Sequence, residues 1–290
     1  MHLVSVTTSD RLRLHGAYQT TKSPNRVADS KGKADAVILV HGIGGNFYSS
    51  RLLLQTADWL RQLGLATLLI NTRGHDMVNL CSWNGRAKSV GAAFEVVDDC
   101  RHDLSAWADY LQHQGHQKIV LLGHSLGAIK SLYLMAHQPH PAISTVVGIS
   151  PTRLSYQRML DSSSRELFQT TYQRCQDLAA AGAGEQPIQV DFPVSTWISP
   201  NAYLRKYGPQ ELYNWSRFIN QIEIPTLLVF GEKELAHDKA FAGLSQELKQ
   251  LSGTPGVWNA IAVDIIEQAD HFYSGVYQSL FDSLTRWLTN

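Results

Sequence analysis

The chain has 290 residues, with 25 Lys and Arg against 25 Asp and Glu, so its formal charge is zero; 44% of residues are hydrophobic and 17% charged. This is a globular composition that excludes disordered, collagen-like and coiled-coil classes, and the zero balance supplies neither the basic footprint of a nucleic-acid binder nor a polybasic membrane anchor. Cys81, Cys100 and Cys175 are too few and too unevenly spaced for a disulfide framework or a zinc ribbon and read as free thiols of a cytoplasmic protein; the N-terminal stretch lacks the apolar core of a secretory signal, and no apolar run nears the roughly 18 residues of a membrane span.

Residues 2–7 and 12–19 alternate apolar and polar around Ser9-Asp10, which predicts an antiparallel hairpin. Residues 20–34 are polar and turn-rich, hence a loop. AVILV (36–40) is a continuous apolar run, as a strand buried on both faces requires. The chain then alternates. Helical spacing covers 48–63, ATLLI (66–70) is a strand, and Phe94 to Gln114 reads as a long amphipathic helix. KIVLL (118–122) is a strand, Ser125 to Gln138 a helix, and STVVGIS (144–150) a strand. After a long interval come strand 225–230, a helix near 238–251, strand 261–266 and a closing helix from Gly275 to Leu288. Strands alternating with helices predict an α/β fold: a mostly parallel eight-stranded sheet with helices on both faces.

Residues 152–218 interrupt the rhythm. They separate the sixth and seventh strands by more than a normal crossover and carry ten of the chain's 27 aromatic residues. The expected organisation is a core of 1–151 and 219–290 with a mainly helical cap, 152–218, inserted after the sixth strand. Ser163-Ser164-Arg165-Glu166 resembles a capping box, and AAAGAGEQP (179–187) reads as a mobile joint.

Gly123-His124-Ser125-Leu126-Gly127 lies between a strand and a helix. A serine on so sharp a turn is lifted clear of the sheet edge, and side chains in place of the flanking glycines would clash. The helix that follows aims backbone N–H groups at the same point. His41-Gly42-Ile43-Gly44-Gly45-Asn46 follows the strand at 36–40, and a glycine-rich loop there brings N–H donors to a developing oxyanion. His271, in Asp270-His271-Phe272, is the last of 12 histidines and follows the last strand. An acid partner is expected after the penultimate strand, where Glu234 and Asp238 are the candidates. Arg73, His75 and Trp83 follow strand 66–70 and are placed to reach a pocket rim.

HGIGGN, NTRGHD, GHSLG, GEKE and DHF, in this order, resemble the α/β-hydrolase superfamily over residues 36–290, apart from 152–218. The resemblance implies Ser125 as nucleophile, His271 as base, Glu234 as acid with Asp238 as the alternative, and the N–H groups of Ile43 and Leu126 as the oxyanion hole. Glu234 departs from the Asp that most members carry. The expected activity is a serine hydrolase that cleaves a carboxylic ester of a small or medium apolar substrate through an acyl-enzyme, with no metal or organic cofactor. A thioesterase, an amidase or peptidase, a carbon–carbon bond hydrolase and a non-catalytic binding protein are the alternatives. Gly42, His124, Trp197 and Trp215 are expected to line the substrate pocket.

Overall fold

The computed structural model describes residues 1–21, 34–237, 241, 243–252 and 261–289. The loop expected over 20–34 lies largely outside them, as does the start of the helix expected near 238. Strands β1 (His2–Thr7), β2 (Arg13–Gln19), β3 (Ala36–Val40) and β4 (Ala66–Ile70) precede a small hairpin, β5 (Asn79–Trp83) and β6 (Arg86–Val90). β7 (Ile119–His124), β8 (Ile143–Ile149), a short hairpin of β9 (Ile188–Val190) and β10 (Thr196–Ile198), β11 (Thr226–Gly231) and β12 (Ile261–Ile266) follow. One eight-stranded sheet runs β1-β2-β4-β3-β7-β8-β11-β12. β1, β2 and β4 pair antiparallel in turn. From β4 to β12 all neighbours are parallel.

Every residue of β3, β4, β7 and β11 is buried, which is why these segments read as unbroken apolar runs. Their side chains alternate between two cores. Ile38, Val40, Leu68 and Leu121 face one side with Leu104 and Trp107 of α2 (Cys100–His113) and Ile129 of α3 (Leu126–His137). Val37, Leu39, Leu69 and Val120 face the other, with Leu53 and Leu60 of α1 (Arg51–Gln62) and with Leu280 and Leu284 at the chain's C-terminal helix. Each such aliphatic side chain contributes about 1.5–3 kcal/mol by leaving water. From β3 the chain moves outward to β4, then returns to β7 on β3's other side. Strand order therefore reverses between β3 and β7, and a crevice opens beyond their C-terminal ends.

Two segments differ from the pattern expected of them. The helix foreseen from Phe94 starts at Cys100, after a 3₁₀ turn at Val97–Asp99; residues 91–96 form a loop that sends the Glu95 carboxylate inward to Lys130, 2.5 Å away. The capping box is also out of register. α4 (Tyr156–Leu160) is followed by α5 (Arg165–Ala180), whose N-cap is Ser164. Glu166 thus stands one position too early to reach back to the cap.

The insertion carries α4, α5, the β9–β10 hairpin and α6 (Pro200–Tyr207). Its 179–187 stretch is bonded to the start of α6. Asn201 donates from its backbone to the Gly184 carbonyl at 3.0 Å and from its side chain to Glu185 at 2.8 Å. Beyond β11 come α7 (Glu232–His237), α8 (Leu244–Ser252) and, after β12, α9 (Tyr277–Thr289). Among the described residues no helix is long and apolar enough to cross a membrane.

Candidate active site

Ser125 sits between β7 and α3 with φ 57° and ψ −122°. For a residue with a side chain this backbone costs on the order of 1–3 kcal/mol and persists only if its surroundings enforce it. They do. Its N–H donates to the Ile149 carbonyl at 2.8 Å, and its own carbonyl accepts from Ala128 at 3.0 Å. The turn closes so tightly that a Cβ on Gly123 would lie 2.2 Å from the Gly127 carbonyl oxygen. A Cβ on Gly127 would lie 2.3 Å from the Val40 oxygen at the end of β3. Only glycines let the elbow rest on β3.

The loop after β3 meets the same point. A Cβ on Gly42 would approach the Ser125 Cβ at 3.1 Å and its Oγ at 3.6 Å. The Gly42 carbonyl accepts from the His41 ring at 2.7 Å and from the Gly45 N–H at 3.2 Å. In a planar trans peptide the following N–H points opposite to the carbonyl, so these bonds also set the direction of the Ile43 N–H. Neither that N–H nor the one of Leu126 has an acceptor among the described residues.

His41 is itself held from behind. Burial pushes its pKa down to about 3, so the ring is neutral. Nδ1 faces a carbonyl and must carry the proton, while Nε2 accepts from the Thr72 N–H at 3.1 Å. Lys130 of α3, fully buried, donates to the Thr72 hydroxyl at 2.9 Å and pairs with Glu95 at 2.5 Å. None of Thr72, Glu95 and Lys130 was singled out from sequence. The available signal was a single lysine in the apolar run Leu126–Met135.

His271 and Glu234 are brought together by the ends of β12 and β11. The Lys233 N–H donates to the Ala269 carbonyl at 2.9 Å, and a Cβ on Gly231 would lie 2.6 Å from that oxygen. The two loops can approach because position 231 has no side chain. His271 Nδ1 donates to Glu234 Oε2 at 2.7 Å. The other oxygen, Oε1, accepts from the Gly231 N–H at 2.7 Å and from the Ser150 hydroxyl at 2.5 Å. Glu234 is 3% exposed, so this is a dry, fully engaged carboxylate. Asp238, the alternative acid, lies outside the described residues. Asp270, although next to His271, accepts from the Phe272 and Ser274 N–H groups and shapes the turn. His124, its pKa lowered to about 3 by burial, donates from Nε2 to the His271 carbonyl at 2.8 Å.

Ser125, His271, Gly42, Ile43, Leu126 and His124 all line one cavity of about 520 Å³. The Ser125 hydroxyl makes no hydrogen bond to a described residue, His271 included; such bonds often tighten only when substrate is bound. The insertion closes the cavity with Leu154, Met159, Phe192, Val194 and Tyr207, joined by Arg153, Arg158 and Lys206.

The two tryptophans expected in the wall are elsewhere. Trp215 is fully buried, donates to the Pro151 carbonyl at 3.2 Å and packs against Phe230. Trp197 sits on β10, 51% exposed, and is not part of the lining. Arg73, His75 and Trp83 miss the rim as well. Arg73 is buried in bonds to Asp103 and Asp10. His75 bonds to Thr72, and Trp83 donates to the Asp10 carbonyl. Among the described residues no group of three or more His, Cys, Asp or Glu is arranged to hold a metal ion.

The sequence profile of the alpha/beta hydrolase family matches residues 37–280. No curated protein gives a significant match. Among solved structures, the alpha/beta hydrolase GrgF from Penicillium sp. sh18 superposes with a TM-score of 0.67 at 16% identity, covering 99% of this chain and 97% of its own. Est1E from Butyrivibrio proteoclasticus, solved with ferulic acid bound, gives 0.64 at 16% identity over 98% of this chain and 96% of its own. A monoacylglycerol lipase from Paleococcus ferrophilus gives 0.63 at 17% identity over 95% and 98%. At these identities the likeness is one of fold.

Proposed function

Because the chain belongs to the alpha/beta hydrolase family, we propose that it is a serine hydrolase that cleaves a carboxylic ester through an acyl-enzyme. The observation that carries this reading is the His271–Glu234 bond of 2.7 Å opening onto the cavity that holds Ser125 on its strained elbow. Ser125 Oγ attacks the ester carbonyl while His271 Nε2 takes its proton. Glu234 keeps the proton on Nδ1, which leaves Nε2 free to accept, and stabilises the imidazolium that forms. The N–H groups of Ile43 and Leu126 receive the oxyanion. His271 then protonates the leaving alcohol, and water releases the acyl group by the reverse path. Residues 152–218 act as the cap over this centre. The structurally similar monoacylglycerol lipase, named for ester cleavage, supports an ester as the bond broken.

The test is labelling with a fluorophosphonate followed by turnover of p-nitrophenyl esters. Ser125→Ala abolishes labelling and lowers kcat by on the order of 10⁴–10⁶-fold, and adding His271→Ala does little further harm, because such residues act as a unit. Near-wild-type kcat in folded Ser125→Ala protein refutes the reading. Tight ligand capture without turnover by the wild-type chain would make it a binding protein instead.

A further inference from the structure

The cavity wall has an unequal charge. None of its described lining residues is Asp or Glu, whereas Lys206, Arg153 and Arg158 all contribute to it. Arg153 is neutralised by its ion pair with Glu247, and Arg158 is exposed. Lys206 is different. It is 2% exposed, near the end of α6, and its ammonium has no hydrogen-bond partner among the described residues. The nearest carboxylate oxygen belongs to Glu95, 3.9 Å away. Glu95 is already engaged at 2.5 Å by Lys130, which is equally buried. His41 beside them is neutral. One carboxylate thus serves two buried lysine side chains, with the closer contact to Lys130, and burial lowers the Lys206 pKa from its usual value.

A buried ammonium without an acceptor is costly, and proteins retain one where something else completes it. The missing partner must be an acceptor, must fit in the cavity and is best matched by a full negative charge. Tyr207, next in sequence to Lys206, also lines the cavity.

We propose that Lys206 is the docking group for a free carboxylate on the substrate, so that the preferred esters are carboxylated ones. This rests on the serine-hydrolase reading, and it changes the expected substrate from an apolar ester to a charged one. In this arrangement the carboxylate meets Lys206 and the ester carbonyl meets Ser125, in a cavity that Met159 and Phe192 also line. The carboxylate can belong to the acyl group, as in a monoester of a dicarboxylic acid, or to the alcohol.

Two matched pairs of esters separate these sources. Ethyl hydrogen adipate against ethyl hexanoate places the charge on the acyl side. 4-(Butanoyloxy)benzoate against phenyl butanoate places it on the alcohol side. In the wild type, one of the two carboxylated esters has kcat/KM at least about tenfold above its neutral partner. In Lys206→Met that ratio falls by at least about tenfold, to near one. Lys206→Gln, which keeps a donor without charge, gives the same loss of ratio should the Met variant fail to fold. Ratios at or below one for both pairs in the wild type, or a ratio unchanged by either substitution, overturn the proposal while leaving the hydrolase reading intact. Calorimetric titration with adipate and with hexanol covers the converse case. Absence of all ester turnover together with adipate binding that Lys206→Gln abolishes would retain the carboxylate site and refute the hydrolase. Adipate binding no tighter than hexanol binding counts against the site whatever the turnover.

Discussion

Replacing Glu234 with Gln tests the proton logic of the site with almost no change in shape. The two carboxylate oxygens are not equivalent. Oε1 accepts from the Gly231 N–H at 2.7 Å and the Ser150 hydroxyl at 2.5 Å, whereas Oε2 accepts from His271 Nδ1 at 2.7 Å. A glutamine must therefore keep its carbonyl oxygen on the Gly231 and Ser150 side. Flipping it would set an NH₂ group against a backbone donor in a dry site, an arrangement that costs about 1–3 kcal/mol. Its NH₂ group then faces His271 Nδ1, which has to become the acceptor. The ring proton moves to Nε2, the nitrogen that would take the proton of Ser125. Catalysis from the wrong tautomer is slower by about 10⁴-fold, or about 5.5 kcal/mol in the barrier. The assay is kcat for p-nitrophenyl acetate, with a thermal melt to show that the fold is intact. Glu234→Asp, shorter by one methylene, retains the charge but opens the 2.7 Å contact and falls between the two. A folded Glu234→Gln protein within tenfold of wild-type kcat refutes the argument and moves the acid role to another residue, Asp238 first.

Three further outcomes follow from contacts already described. Gly127→Ala drives a Cβ to 2.3 Å and 2.5 Å from the Val40 and His41 carbonyl oxygens; overpacking against backbone costs about 3 kcal/mol or more, read as a melting temperature lower by roughly 6–12 °C, and an unchanged melt contradicts the close approach. His41 and His124 have folded pKa values of about 3, below the usual 6.5. The unfolded chain takes up protons first, so their stability is full above about pH 6.5 and lost as pH falls toward 3. At pH 5 each costs about 2 kcal/mol, so urea midpoints drop between pH 7 and pH 5, and drop less in His124→Gln; a flat profile between those two pH values counts against buried neutral rings. Phe192→Ala, in the cavity wall, reorders the preference for ester chain length by about 1–3 kcal/mol per step. Trp197→Ala, outside the wall, leaves the order as it was, and the reverse pattern would restore the tryptophan to the pocket.

The sheet was legible because each of its central strands is buried on both faces. AVILV and ATLLI match β3 and β4 residue for residue, and no helical period competes within five consecutive apolar residues. The β5–β6 hairpin was not read, since four of the five residues of β6 are exposed and show no apolar alternation. Its signal lay in the turn. Asn84-Gly85 takes positive φ at both positions, the pairing that two-residue hairpins favour. The helix expected from Phe94 failed for the opposite reason. Its period continues upstream of Cys100, but residues 91–96 form a loop from which Glu95 pairs with Lys130, a tertiary contact that local propensity does not encode.

The site divides along the same line. Residues whose position follows from the chain's own turns were recoverable: Ser125 from its glycines, His271 and Glu234 from the strands they follow. Residues whose function depends on a neighbour distant in sequence were not. Trp215 was expected in the cavity for its size, yet a large aromatic ring buried against Phe230 contributes most where no ligand reaches it. Lys206 was not singled out, being one basic residue in the last turn of α6. Its meaning comes from Glu95, 111 positions earlier, and from Lys130, which holds that carboxylate first. A periodicity records which face of a helix is apolar. It carries no account of how many cations share one buried anion, and that imbalance is what gives this cavity its charge preference.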